Sequence, residues 1–292
     1  MSVADWFETF CGGLVIRNRS VISDRYNSIT RRLNMDFYGI SSDTAHSLQI
    51  GSYGRGTAIN GVSDLDMVFQ LPYVVYQQHN RYARNGQSAL LHAVRNSIRR
   101  RYPSTGCGGD GQVVVVRFID GTKFEVLPAF LNKDQQTFTF PNTNDGGSWE
   151  VTRPRAEIKA IDDRDKECNS NLKRLCRMMR SWKRKWAVPI KGLLIDTLAY
   201  QFIATWEHKD ESYLYYDWMC RDFLSFMTGQ SEWQVYWKAP GSGQFVYREG
   251  MFEYKAKRCY NIATEAIRQE DQGRCRSAKQ SWRSIFGAAF PT

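Results

Sequence analysis

The chain has no run of about 18 consecutive apolar residues, the length a membrane-crossing helix needs, so a transmembrane helix is ruled out. It has no secretion signal either: the segment from Met1 to Ser20 puts Asp5 and Glu8 where such a signal carries positive charge. Seven cysteines (Cys11, Cys107, Cys168, Cys176, Cys220, Cys259, Cys275) form no CxxC pair and leave an odd count, which argues against a disulfide framework. The four histidines, His46, His79, His92 and His208, are too scattered for a zinc site of short spacing. These absences point to reduced, mostly buried thiols in a cytoplasmic protein. Internal repeats and Pro- or Ser-rich linkers are missing too, so lobes packed together are expected rather than domains on a string. No Ser–His–Asp arrangement can be read from the spacing.

What remains is a chain of 292 residues, 42% hydrophobic and 14% aromatic, long enough for one large or two medium domains and too apolar to be disordered. Lys and Arg number 40 against 30 Asp and Glu, a formal charge of +10. With a pI near 9.3, that balance suggests a polyanionic partner, namely nucleotides, nucleic acid or an anionic membrane. The charge is spread over the whole chain, however, so the chemistry has to come from local patterns.

Ile22, Tyr26, Ile29, Leu33 and Phe37 recur at three- and four-residue steps and predict a long helix from Val21 to Tyr38. Ser47–Ile50 and a glycine-rich stretch, Gly51–Thr57, come next, then a short apolar strand around Leu65–Leu71. Residues 80–101 read as a second helix, with the Arg99–Arg101 run best explained as its solvated end. Val113–Phe118 and Thr122–Leu127 read as paired strands about the turn at Asp120–Gly121. Beyond Pro128 the pattern turns helical from Arg153-Pro154-Arg155 onward. Leu172, Leu175, Met179, Trp182 and Trp186 make one apolar face, and Leu194, Leu198, Phe202 and Trp206 another. The 208–250 stretch is weakly patterned; a further helix is expected over 251–269, followed by a tail ending at Thr292. The fold class is therefore α+β, with a catalytic half over residues 1–150 and a helical half over residues 151–292.

One stretch carries chemistry. Gln49-Ile50-Gly51-Ser52-Tyr53-Gly54-Arg55-Gly56-Thr57 is followed by Ser63-Asp64-Leu65-Asp66-Met67-Val68. Side chains alternate along a strand, so Asp64 and Asp66 share a face, roughly 7 Å apart at the backbone. Two carboxylates beside a glycine-rich turn suit two Mg²⁺ ions (Mn²⁺ can substitute) and a nucleoside triphosphate. Backbone N–H groups of the Gly51–Ser52 turn would cradle the phosphates. A third acid, Glu125, lies alone in the apolar strand Phe124-Glu125-Val126-Leu127-Pro128; metal coordination would offset the penalty of an unpaired carboxylate there.

A Gly-Ser turn, an Asp-x-Asp strand and a later acid on a strand resemble the polymerase-β-like nucleotidyltransferase superfamily. The fuller pattern, through Gln49–Thr57, Ser63–Val68, Phe124–Phe130 and the helix from Asn171 to Trp186, resembles the cGAS/DncV-like nucleotidyltransferases (CD-NTases), the bacterial enzymes that make cyclic oligonucleotide signals in anti-phage defence (CBASS). The resemblance implies a polymerase-β-like core of mixed sheet and helices beside a helical C-terminal lobe, with the active site in the cleft and an N-terminal spine helix. It implies Asp64, Asp66 and Glu125 as catalytic metal ligands and Gly51 and Ser52 as donor phosphate contacts. Gln49 and Lys173 become nucleotide contacts, and the basic face of the Asn171–Trp186 helix adds Arg177 as a candidate. Glu125 stands where many relatives carry Asp, and Gly192 where relatives often carry a serine. No zinc-ribbon insertion of the kind used by the animal DNA sensor is visible. The helix itself supports triphosphate binding: Asn171 to Lys191 holds Lys and Arg but no acid, and Lys173, Arg177, Arg180 and Arg184 fall on one face.

The expectation is thus an enzyme that condenses NTPs, with ATP and GTP as substrates, into a purine-containing cyclic di- or trinucleotide, releasing pyrophosphate. A monomer is expected, with an operon-encoded regulator acting on it, even on the tail Phe286–Thr292, and a downstream effector reading its product. The rivals are a transferase that adds nucleotides to RNA or another acceptor, and a nucleic-acid-binding pseudoenzyme. Base choice, ring size and linkage are not legible.

Overall fold

The computed structural model describes residues 2–61 and 64–292. Ser63, which opens the Asp-x-Asp motif, lies outside the described residues, as do Met1 and Val62. In chain order the described residues form α1 (Val3–Leu14), α2 (Arg19–Phe37), β1 (Ser47–Gln49), α3 (Gly51–Gly54), β2 (Asp64–Gln70), α4 (Tyr73–Asn80), α5 (Gly86–Arg101), β3 (Gly106–Asp110), β4 (Val113–Arg117), β5 (Lys123–Leu131), β6 (Phe138–Asn142) and β7 (Ser148–Thr152). There follow α6 (Pro154–Glu167), α7 (Asn171–Trp186), α8 (Gly192–Thr205), α9 (Tyr216–Thr228), β8 (Tyr236–Lys238), β9 (Phe245–Tyr247), α10 (Glu253–Asp271) and α11 (Cys275–Phe286). The α+β class holds, with a mixed sheet and many helices. Among the described residues no helix is long and apolar enough to cross a membrane.

The chain divides into two compact units. A sheet unit comprises Arg17–Gly54 and Val62–Ile158; a helical unit comprises Met1–Ile16, Arg55–Gly61 and Lys159–Thr292. In the sheet unit the strand order is β1-β2-β5-β4-β3, with β6 added to β5 and β7 to β6. The β2–β5 pair is parallel and the other pairs are antiparallel. Strand β5 is central, and its apolar run buries Phe124, Val126, Leu127, Ala129 and Phe130, as expected for a strand with neighbours on both sides. Helix α5 lays Leu90, Leu91, Val94 and Ile98 inward and packs on β3, β4 and α2. Its last turn holds Arg99, Arg100 and Arg101, where cations complement the helix dipole. Arg100 reaches Asp36 at 3.2 Å.

The helical unit is one large apolar core. Helix α1 opens on a capping box, with Ser2 N–H donating to Asp5 (2.6 Å) and Asp5 N–H to Ser2 Oγ (3.4 Å). It buries Trp6, Phe7 and Phe10. Helix α7 buries Leu172, Leu175, Met178, Met179 and Trp182.

Three readings need correction. The helix expected over 80–101 starts later, at Gly86, and residue 80 instead closes α4. Gly86 presses so close to the His79 carbonyl that a Cβ would lie 2.1 Å from it, and Asn85 takes the left-handed conformation at φ 61°. The weakly patterned 208–250 stretch contains α9 and the β8–β9 hairpin. The expected tail is mostly α11, and Phe290 is fully buried, 5.3 Å ring to ring from Phe7 and 5.1 Å from Phe10. Five of the seven cysteines are buried and all are free, as expected.

Candidate active site

Strands β2 and β5 run parallel with Asp64 opposite Lys123 and Asp66 opposite Glu125. Alternation does the rest. Leu65, Met67, Phe124 and Val126 are buried on one face, which puts Asp64, Asp66, Lys123 and Glu125 together on the other. The two aspartates and the glutamate therefore lie on one sheet face, as the spacing predicted.

The glycine-rich turn is tied to the same strand. Ile50 N–H donates to the Asp66 carbonyl (2.9 Å), and Gly54 N–H donates back to the Ile50 carbonyl (2.8 Å), closing the single turn of α3. Gly51 has φ +60°, and a Cβ added to it would lie 1.8 Å from Asp66 Oδ2. Only glycine fits here, on both backbone and steric grounds. Gly54 is equally constrained, with a Cβ falling 2.3 Å from the Gln49 carbonyl oxygen. Gln49 ends β1, opposite Met67 of β2, and Ser52 sits inside α3. Gln49, Gly51, Ser52, Asp64, Asp66 and Glu125 thus belong to one local structure within the sheet unit.

Glu125, expected to rely on a metal for its partner, has one within the chain. Lys123 Nζ lies 2.8 Å from Glu125 Oε1 and 3.0 Å from Asp64 Oδ2. The Glu125 side chain is 28% exposed, so its burial penalty is also smaller than an apolar strand suggests. The hydrogen bond to Glu125, then that to Asp64, hold the Lys123 ammonium above its usual pKa against a modest desolvation. Among the described residues no three His, Cys, Asp or Glu groups cluster as a ready metal-binding set. The donors nonetheless suit a hard divalent ion. Two of the three carboxylates gather about a single cation, the ammonium of Lys123.

In the helical unit the basic face of α7 divides. Lys173 Nζ pairs with Asp162 (2.7 Å) and approaches Asp165 (3.8 Å), while Arg177 donates to the Gly56 carbonyl (3.1 Å). Gly56 has φ +69°, and a Cβ there would meet the Lys173 chain at 3.4 Å. Both residues therefore border the segment that follows the glycine-rich turn in sequence. Arg180 does not join an exposed basic face. It is buried, 2.5 and 2.9 Å from the carboxylate oxygens of Asp196, which is wholly inaccessible. Arg55 Nε and Thr57 Oγ1 each donate to the same carboxylate at 3.0 Å. Despite full desolvation, Arg180 and Arg55 hold the Asp196 carboxyl below its usual pKa. Gly192 donates space to this network: a Cβ would come within 3.2 Å of the Arg180 guanidinium, and its carbonyl accepts from Arg180 at 3.2 Å.

Residues 1–165 match the family model described as Second Messenger Oligonucleotide or Dinucleotide Synthetase domain, SMODS. The chain belongs to this family. This membership agrees with the resemblance to cGAS/DncV-like nucleotidyltransferases that the motifs carry. A Bacillus cereus (strain VD146) protein named "Probable cyclic nucleotide synthase" is 19% identical over 180 residues, covering 58% of this chain and 52% of its own. The chain thus spans about half the length of that curated relative. Among solved structures, the Escherichia coli MS115-1 CdnC with ATP superposes with TM-score 0.66 at 16% identity, covering 99% of both chains. Vibrio cholerae DncV cyclic AMP-GMP synthase with the linear intermediate 5′ pppA(3′,5′)pG gives 0.65 at 13% identity, covering 99% of this chain and 87% of its own. At such identities the structural likeness establishes the fold.

Sequence reasoning about this SMODS protein missed Lys123, Arg55 and Asp196. The Lys123 signal was present, two residues before Glu125 in a strand and hence on its face. Asp196 carried the signal of a lone acid inside the apolar run Leu193-Leu194-Ile195-Asp196-Thr197-Leu198, but its partners lie 16 and 141 residues away.

Proposed function

We propose that this chain condenses nucleoside triphosphates, ATP and GTP in the first instance, into a cyclic di- or trinucleotide. The observation that carries the reading is local. The parallel register sets Asp66 beside Glu125, and the missing Cβ of Gly51 lets the phosphate-binding turn rest directly on the Asp66 carboxylate. Asp64, Asp66 and Glu125 would hold divalent ions, two Mg²⁺ or Mn²⁺. Bound there, the ions supply charge neutralisation for the attacking oxygen and the departing pyrophosphate. The chain's own work is positioning. N–H groups at Gly51 and Ser52 cradle the donor triphosphate, and the three carboxylates face the reacting phosphate. An acceptor ribose hydroxyl attacks the α-phosphorus; a new O–P bond forms, the α–β bridge breaks, pyrophosphate leaves, and the hydroxyl proton is lost. A second round on the linear product closes the ring.

Gln49 and Lys173 are assigned as further nucleotide contacts on the family resemblance, and Arg177 on its place along the basic face of α7. What supports the substrates is kinship: solved relatives were captured with ATP and with a linear pppA(3′,5′)pG intermediate. One CdnC structure is a complex with HORMA-deltaN, which makes a regulatory partner part of the proposal here. So are a downstream effector that reads the product, a cytoplasmic setting and a role in anti-phage defence.

The test is to incubate the protein with ATP, GTP, CTP and UTP, singly and in pairs, with Mg²⁺ or Mn²⁺. Products are then treated with phosphatase and weighed by mass spectrometry. A phosphatase-resistant species of cyclic di- or trinucleotide mass supports the proposal; linear or acceptor-linked products alone would favour the rival transferase.

A further inference from the structure

We propose that Lys123 is a built-in placeholder for the divalent cation: its ammonium draws Asp64 and Glu125 together in the metal-free protein, and a metal ion has to displace it to bind. The inference rests on the metal-site reading above and concerns what controls metal entry.

Position leaves the lysine little choice. Lys123 and Glu125 are two apart on β5 and share a face, while the parallel register sets Asp64 directly across from Lys123. Its contact with Glu125, at 2.8 Å, has the length of a strong charge-assisted hydrogen bond, and that with Asp64, at 3.0 Å, is a little longer. The lysine and Glu125 side chains are 24% and 28% exposed, so solvent screens their pair less than a surface pair, while Asp64, 49% exposed, is the more screened partner. Two carboxylates drawn to one ammonium have their charge partly neutralised. A metal ion entering at them would meet a like charge within a few ångströms. Metal binding to the nucleotide-free protein should therefore be weak, and stronger when a triphosphate brings negative charge of its own. The lysine makes metal uptake depend on substrate. Lys123 acts here as a positioning residue, through Asp64 and Glu125.

The test is a Mn²⁺ titration of the nucleotide-free protein followed by electron paramagnetic resonance, on the wild type, Lys123→Met and Lys123→Arg. Lys123→Met should bind Mn²⁺ about tenfold more tightly than the wild type, and Lys123→Arg, which keeps the charge, should stay near the wild type. A parallel melting experiment should show Mn²⁺ raising the melting temperature of Lys123→Met more than that of the wild type. Lys123→Gln replaces Lys123→Met if the latter does not fold. Equal or weaker Mn²⁺ binding by the neutral variant overturns the placeholder, provided the wild type binds Mn²⁺ when ATP is present. Absence of Mn²⁺ binding in every protein, with and without ATP, overturns the metal site itself and the placeholder with it.

Discussion

Replacing Gly51 with alanine sets a methyl group against the carboxylate on which the proposed chemistry depends. The new Cβ would lie 1.8 Å from Asp66 Oδ2, and the gap has to open to the 3.4 Å at which ordinary contact begins. Either the turn or the carboxylate has to move. The backbone term is separate: φ at Gly51 is +60°, and an L-residue held there loses about 1–2 kcal/mol. Gly39 supplies the control, because it has φ +68° and nothing within 4 Å of its would-be Cβ. Gly39→Ala therefore carries the backbone strain alone. A misplacement of about 1 Å at reacting groups can lower a rate about 100-fold, so Gly51→Ala should lose at least that much in the initial rate of pyrophosphate release. Gly39→Ala should lose a few degrees in melting temperature, and Gly51→Ala, which adds the overlap to the backbone strain, should lose more. A Gly51→Ala enzyme as fast as Gly39→Ala would refute the reasoning, for the turn would then not need to rest on Asp66.

Asp196→Ala leaves Arg180 buried without its carboxylate, and urea unfolding should show a loss of about 3–5 kcal/mol; Asp163→Ala, which breaks the exposed Lys159 pair, should leave the unfolding curve almost unmoved. Burial pushes the Asp217 carboxyl up to about 6, and burial with the neighbouring Asp217 and Asp271 charges pushes Glu270 to about 7. The folded state keeps protons that the unfolded chain has released, so this contribution is full below about pH 4 and lost as pH rises through the 6 to 7 range. Melting temperature should accordingly fall from about pH 4 to about pH 7 and level off above it, and Asp217→Asn should flatten the part of that fall between about pH 4 and pH 6; an unchanged slope there would show that Asp217 does not titrate in this range. Phe290→Ala empties a fully buried aromatic site and should destabilise by about 3–5 kcal/mol in chemical denaturation, whereas a loosely attached tail would show almost no change.

Periodicity gave away the long helices because burial imposes it. The α2 pattern Ile22, Ile29, Leu33 and the α7 pattern Leu172, Leu175, Met179, Trp182 are buried in the structure. The carboxylate strand was legible for the same reason, since alternation alone places Asp64 with Asp66. The pairing of Glu125 was misread by weighing its apolar neighbours and overlooking the residue two positions back. Helix α9 and the β8–β9 hairpin escaped because their apolar positions, such as Met219, Phe223, Trp237 and Val246, lie among exposed aromatics like Trp233 and Phe245. The Arg55–Asp196–Arg180 network was beyond reach. Its members come from three distant stretches, and nothing in a helical wheel separates an arginine bound for a buried carboxylate from its solvated neighbours.

The most direct test of the account compares the wild type with Asp64→Asn/Asp66→Asn for pyrophosphate release and for cyclic product, across a Mg²⁺ titration with ATP and GTP. The account predicts metal-dependent turnover in the wild type, and none in the double variant at any Mg²⁺ concentration while its fold persists by circular dichroism. Turnover by the folded double variant at the wild-type rate would contradict it.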